Sequence, residues 1–244
     1  MSEREQMNAR KEFAAGAAAI SPVLAAAVPI ALLFGTLSVS KGLSVAETTL
    51  MSMTVFAGAL QFVAIDLWGD PVPVGLLAFT ALVVNIRHVL MGASLGRSLG
   101  GFSPVQKYAG MFLLTDEGWA FAEQRARRGV LTPAFYLGSG LALWLTWNTG
   151  TLAGALLGTT MGDPAAFGFD FAFTAVFIAI LTGFWSNWRT GAVLLASGAV
   201  SALVKLAVPG AWYIMAGAAA GIIVAAVLHA HDDTPDETDR LMPS

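Results

Sequence analysis

Long apolar runs alternate along the chain with short links of Gly, Pro or charge. Roughly eight runs can be marked, close to residues 13–39, 45–67, 73–98, 104–123, 133–160, 169–186, 190–207 and 210–230. A helix needs about 20 predominantly apolar residues to cross a bilayer, and most of these runs approach or exceed that length. The links are too short to hold an inserted soluble domain. Lipid offers no water to backbone N–H and C=O groups, so the pattern predicts helices rather than open sheets. The expected fold is all-α, a polytopic helical membrane protein of about eight transmembrane segments. Its parts would be an N-terminal segment over 1–12, a single bundle over 13–230 and a polar, disordered tail over 231–244.

Breaks within the runs add detail. Pro22 and Pro29 interrupt the first run, Ala57-Gly58-Ala59 the second and Gly183 the sixth. Transporters use interrupted helices of this kind to present half-helix ends to a substrate. A polar link followed by an apolar run occurs near residues 40–62 and again near 161–181, a faint two-halves pseudo-symmetry. Gly92, Gly96 and Gly100 recur at four-residue intervals, as do Gly154 with Gly158 and Gly217 with Gly221. Each series predicts a face where helices pack closely. Trp68, Trp185, Trp188 and Trp212 fall near run ends, as interfacial anchors do. Trp144, Trp147 and Asn148 fall near the middle of the fifth run, too deep for that belt, and are expected to line the bundle interior.

Composition agrees with the pattern: 56% of the 244 residues are hydrophobic and 12% charged, against about 25% charged in soluble domains. The formal charge is −3, but the tail holds Asp232, Asp233, Asp236, Glu237 and Asp239 against Arg240, leaving the body at +1. That balance argues against a nucleic-acid partner. The chain has no Cys, which excludes disulfides, iron–sulfur clusters, thiolate zinc sites and cysteine nucleophiles. Only three His are present, two of them near the tail, so no metal and no cofactor is expected. Without a P-loop pattern the chain is not expected to hydrolyse ATP.

Basic residues set the expected orientation. With both termini cytoplasmic, Arg4, Arg10, Lys11, Arg125, Arg127, Arg128, Arg189 and Arg240 lie inside, and only Lys41, Arg97 and Lys107 outside. An odd number of crossings would reverse the tail.

Ionisable side chains within hydrocarbon cost at least about 2.5–3.5 kcal/mol, so they are expected to pair, face a cavity or act. In the third run Asn85, His88 and Gly92 share a stripe with Ala81, while Arg87 points to a neighbouring face. Two readings stay open for this cluster. Arg87 and His88 either lock helices together, or form a site in which Arg87 clamps a carboxylate, Asn85 adds a hydrogen bond and His88 carries a proton. In the fourth run Asp116 and Glu117 are adjacent, so they cannot share a face and must have separate partners. One is expected to neutralise Arg87 and the other to serve as a proton or ammonium site, unless the helix starts late and both simply lie at its end. Gln61, beside the glycine break, reads as a substrate-facing amide or a packing contact. Asp170 reads as the acid that begins the sixth helix. The energetic expectation is that these groups converge on one shared, partly wet chamber.

Four motifs in order, Phe56-Ala57-Gly58-Ala59-Leu60-Gln61-Phe62, Asn85-Ile86-Arg87-His88, Thr115-Asp116-Glu117 and Phe169-Asp170-Phe171-Ala172, with Phe34-Gly35 before them, resemble the AzlC family of branched-chain amino acid permeases. The resemblance covers most of the chain. It implies an exporter of branched-chain amino acids and their analogues in a bacterial inner membrane, working with a small AzlD-type membrane subunit. Leu60 stands where the family often has a small residue before the Gln, which alters the implied pocket.

The function expected from these readings is secondary transport by alternating access, driven by a proton or membrane-potential gradient, and not catalysis. Arg87 or the break near Gly58 would take the substrate carboxylate. Asp116 or Glu117 would take its ammonium group or the coupled proton, with His88 and Asp170 as further ionisable candidates. Phe56, Phe62, Trp144 and Trp147 would form an apolar wall, with Gln61 and Asn85 as polar contacts. An intramembrane serine hydrolase is a poorer fit, because Ser94 and His88 lie about 9 Å apart along one helix axis. A channel or a non-transporting scaffold subunit is the remaining alternative.

Overall fold

The computed structural model describes residues 3–160, 187–208 and 212–230, together with Ile178, Thr182 and Trp185. Among them every regular element is a helix, as expected for a polytopic helical membrane protein. Apart from those three residues the sixth run, with Gly183 and Asp170, lies outside the described residues, as do the tail from 231 and most of the second half of the supposed pseudo-symmetry.

The chain separates into two compact units, Met1–Val176 and Phe177–Ser244. In the first, α1 spans Glu3–Ala19, α2 Ser21–Ser40, α3 Val45–Thr54, α4 Gly58–Asp66, α5 Val74–Gly96, α6 Pro104–Phe112, α7 Asp116–Arg128 and α8 Pro133–Gly158. In the second, α9 spans Trp188–Ala207 and α10 Trp212–Ala230.

Among the described residues three helices, α2, α5 and α9, are long and apolar enough to cross a membrane. Leu82, Ile86, Val89 and Leu90 on α5 and Leu195, Leu203 and Leu206 on α9 are exposed. Water would penalise such surfaces, and lipid does not. The longest helix, α8, buries Phe135, Tyr136, Leu143, Trp147, Asn148, Thr151 and Ala155. It is the core of the first unit, and its Trp147 and Thr151 side chains meet other helices rather than lipid.

The first apolar run is two helices. Pro22 occupies the first turn of α2, a position where proline's missing N–H breaks no hydrogen bond, and Pro29 lies inside the same helix. The boundary expected at residue 12 falls inside α1. That helix packs on the start of α8 through two glycines: a Cβ at Gly16 would overlap Phe135 O, and one at Gly138 would overlap Phe13 O. Glu12 is held there by Arg125 at 3.1 Å and by the Thr132 hydroxyl at 2.9 Å.

The second and fourth runs are each interrupted. Both begin with a capping box, in which Ser44 pairs with Glu47 and Ser103 with Gln106. In such a box the serine oxygen accepts from the backbone N–H of the fourth residue, whose side chain returns the bond. Each half-helix then stops, at residues 55–57 between α3 and α4 and at 113–115 between α6 and α7.

The glycine series divide. Gly154 packs on Leu32 O, Gly158 on Thr36 and Gly35 on Thr151 O, so α2 and α8 meet backbone to backbone. Gly217 and Gly221 pack on Ser201 and Ser197 between α9 and α10. The third series is a correction. Nothing described lies within 4 Å of a Cβ at Gly96 or Gly100, and Gly92 meets only Met111 Sδ at 3.5 Å. The four-residue spacing marks a smooth face, but the described helices do not use this one for close approach. Trp188 and Trp212 open α9 and α10 and are exposed, as is Trp185; Trp68 follows the end of α4.

Candidate functional site

The interruption at 55–57 is built from backbone. Val55 (φ −112°, ψ 81°) and Ala57 (φ −146°, ψ 83°) leave the helical region. α4 therefore starts part-buried, with Leu60, Gln61 and Phe62 buried just after it, and Ala57 offers no side-chain cap. The first backbone N–H groups of a helix have no partner within it, and they carry the positive end of its dipole.

Two tryptophans of α8 hold the interruption from both sides. Trp144 Nε1 donates to Met53 O in the last turn of α3 at 3.3 Å. Trp147 Nε1 donates to Gln61 Oε1 in α4 at 2.9 Å. The Trp147 ring edge would stand 3.0 Å from a Cβ at Gly58, so glycine lets the ring lie over the start of α4 where a larger residue would push it back. Trp147 also stacks on Phe34 (6.2 Å between ring centroids), which meets Phe62 edge-on at 5.6 Å. Phe56 is buried. One turn further along α8, Ser52 donates to the Thr151 hydroxyl at 3.0 Å. Gln61 is fully buried, yet its Nε2 has no partner among the described residues, and neither has Asn148 Oδ1.

The interruption at 113–115 has different chemistry. Thr115 caps α7 by accepting from Gly118 N at 3.1 Å. Asp116, in the first turn, meets Arg87 of α5 at 2.7 Å, and both side chains are about two-fifths exposed, 38% and 40%. Glu117 is exposed and makes no ion pair among the described residues. The two acids thus have separate environments, and both lie at a helix start, where carboxylates favour the positive dipole end. Asn85 Oδ1 and His88 Nδ1 are buried without partners among the described residues.

The polar groups therefore form two clusters on different helices, α3/α4 with α8 and α5 with α7. No hydrogen bond or ion pair between described residues links them. An open groove of about 300 Å³ lies between α3, α4 and α5, lined by Leu43, Glu47, Met51, Val55, Leu60, Ala64, Trp68, Leu77 and Ala81. It contains none of the expected site residues, and its lining suits hydrocarbon better than a charged ligand.

Several polar contacts were not anticipated. Ser94 donates to Glu123 and accepts from Trp119 Nε1 at 3.3 Å, adding a second polar tie between α5 and α7. This hydroxyl is engaged by a carboxylate rather than by His88. Arg125 reaches both Glu12 oxygens at 3.1 Å and lies 5.0 Å from the Phe135 ring centroid. The available signal was spacing: Trp144, Trp147, Asn148 and Thr151 fall on one helical face, and Asp116 and Glu123 are likewise one face apart in register with Arg87 and Ser94.

Residues 22–161 match the AzlC protein family. The chain belongs to the AzlC family. The AzlC match covers α2 to α8 and so contains both interruptions. Relatives include the inner membrane protein YgaZ of Escherichia coli K12, 28% identical over 223 residues covering 88% of this chain and 90% of that one. An uncharacterized membrane protein of Archaeoglobus fulgidus is 31% identical over 140 residues, 57% of this chain and 60% of its own. The branched-chain amino acid transport protein AzlC of Bacillus subtilis is 30% identical over 169 residues, 67% of this chain and 64% of its own. No solved structure matches the chain.

Proposed function

We propose that this AzlC-family protein is a secondary transporter that exports branched-chain amino acids across a bacterial inner membrane. It would act with a small AzlD-type subunit, with both termini cytoplasmic, driven by a proton or membrane-potential gradient. Family membership and the name of the Bacillus relative support the substrate class. The observation that carries the reading is the part-buried interruption between α3 and α4, where an uncapped helix start and a fully buried Gln61 with a free Nε2 stand beside Phe34, Phe62 and Trp147.

The carboxylate of the substrate binds at the start of α4, drawn by its dipole and its unpaired N–H groups, with Gln61 Nε2 as a further donor. Phe56, Phe62, Trp144 and Trp147 form the apolar wall. Arg87 is already paired with Asp116, so this pair takes the coupling role rather than the carboxylate. His88 and Asn85 flank Arg87, and Glu117 faces outward as an access group for protons. Alternating access would proceed by rocking the half-helices against α8, without catalysis by the chain.

Counterflow in proteoliposomes tests the reading. Unlabelled leucine or valine inside should drive transient accumulation of labelled leucine from outside, saturably and with competition by isoleucine. Flux that rises linearly with concentration, without counterflow, would mark a pore; no binding and no flux would mark a scaffold.

A further inference from the structure

Gln61 and Asn148 are buried amides with one end occupied and the other empty. An indole N–H can only donate and a backbone carbonyl can only accept, so such partners fix the orientation of an amide. Trp147 Nε1 donates to Gln61 Oε1, which leaves Gln61 with a free NH2 group. Asn148 Nδ2 donates to Trp144 O at 2.8 Å, which leaves Asn148 with a free carbonyl oxygen. Gln61 is fully buried and Asn148 is 9% exposed, and neither free atom has a partner among the described residues. Buried polar groups left unmatched are costly, and lipid supplies no substitute. The two orphans are opposite in kind, one a donor and one an acceptor.

Neighbouring contacts place Asn148 over the interruption. Trp144, one turn before it, reaches Met53 O. Thr151, nearly one turn after it, accepts from Ser52. Trp147, beside it, covers Gly58 and bonds Gln61. These contacts fall on the end of α3 or the start of α4, so Asn148 stands on the face of α8 that spans residues 55–57.

We propose that Asn148 Oδ1 accepts a hydrogen bond from the substrate's ammonium group while the start of α4 and Gln61 Nε2 hold its carboxylate. The site thus selects zwitterionic α-amino acids over carboxylates that lack an amino group, using neutral dipoles rather than an acidic residue. Such a site leaves the Arg87–Asp116 pair intact when substrate enters. The inference rests on the transport reading above.

The test compares binding of labelled leucine with its displacement by 4-methylpentanoate, which is leucine without the amino group, on the purified full chain. Asn148→Leu should weaken leucine binding about tenfold or more, the usual scale for losing a hydrogen bond to a charged group, and leave the affinity for 4-methylpentanoate unchanged. Asn148→Asp, which keeps an oxygen acceptor, should retain the preference for leucine. Unchanged leucine affinity in a monodisperse Asn148→Leu protein would overturn the assignment, as would equal losses for both ligands. If that variant does not fold, Asn148→Ala carries the same comparison. Intact wild-type counterflow with an indifferent Asn148 would remove this assignment alone, whereas a wild-type chain without binding or counterflow would remove the transport reading with it.

Discussion

The two interrupted runs begin alike and end differently. Each opens with a capping box and stops after about ten residues, as short half-helices in transporters do, yet α4 starts uncapped among aromatic rings while α7 starts with a Thr cap and an ion pair. The first interruption leaves neutral dipoles unmatched inside the protein. The second pairs Arg87 with Asp116 and leaves that pair part-exposed, although Asn85 Oδ1 and His88 Nδ1 beside it have no partner among the described residues. A helix start presents the same backbone chemistry in both places. What differs is the neighbour: α8 supplies one indole N–H and one carbonyl that satisfy only half of each amide, whereas α5 supplies a guanidinium that pairs with a carboxylate. An empty polar half invites a ligand, and a closed ion pair holds helices or switches them.

The largest expected effect removes the platform on which the first interruption rests. Gly154→Leu would drive a side chain into Leu32 O. Overpacking costs about 1–3 kcal/mol even where side chains can move, and here two backbones must separate. The yield of monodisperse protein should collapse, while Gly96→Leu, with nothing described within 4 Å, should express normally. Equal yields would mean that α2 and α8 are not locked as described.

Next comes Gln61→Leu. Removing the free donor should weaken leucine binding by about 10–100-fold, the equivalent of one hydrogen bond to a charged group at about 1.5–3 kcal/mol. The double variant Arg87→Gln/Asp116→Asn should bind leucine as the wild type does. The opposite ranking would transfer the substrate site to the second interruption and undo the contrast.

The smallest effect is on stability. Each single change, Arg87→Gln or Asp116→Asn, leaves one charge without its partner, and the double change leaves none. Because both side chains are part-exposed, a double-mutant cycle followed by thermal unfolding in detergent should give a coupling of about 1 kcal/mol or less. A coupling of several kcal/mol would mean that the pair is sealed from water like the first interruption.

Much of this was legible in advance, for identifiable reasons. The break at Ala57-Gly58-Ala59 could be read because glycine both weakens a helix and lets another group approach. Asp116 and Arg87 could be suspected as partners because both are charges within apolar runs. The single chamber expected for all the polar groups was an overreach. Residue type says that a group needs a partner, without saying which helix will bring it. The same limit hid Glu12 with Arg125 and Ser94 with Glu123, and it made Gly92, Gly96 and Gly100 look like a packing face.

The sequence by itself determined that this is a helical membrane protein, that one helix breaks at Ala57-Gly58-Ala59, and which side chains cannot be left bare in lipid, because hydropathy and backbone propensity act over neighbouring residues. Only the tertiary structure decided that Trp147 takes one end of Gln61, that Trp144 takes one end of Asn148, and that Asp116 rather than Glu117 meets Arg87. The first and last depend on contacts between helices far apart in the chain, and the second, a bond within α8, counts only because no neighbouring helix among the described residues takes the other end.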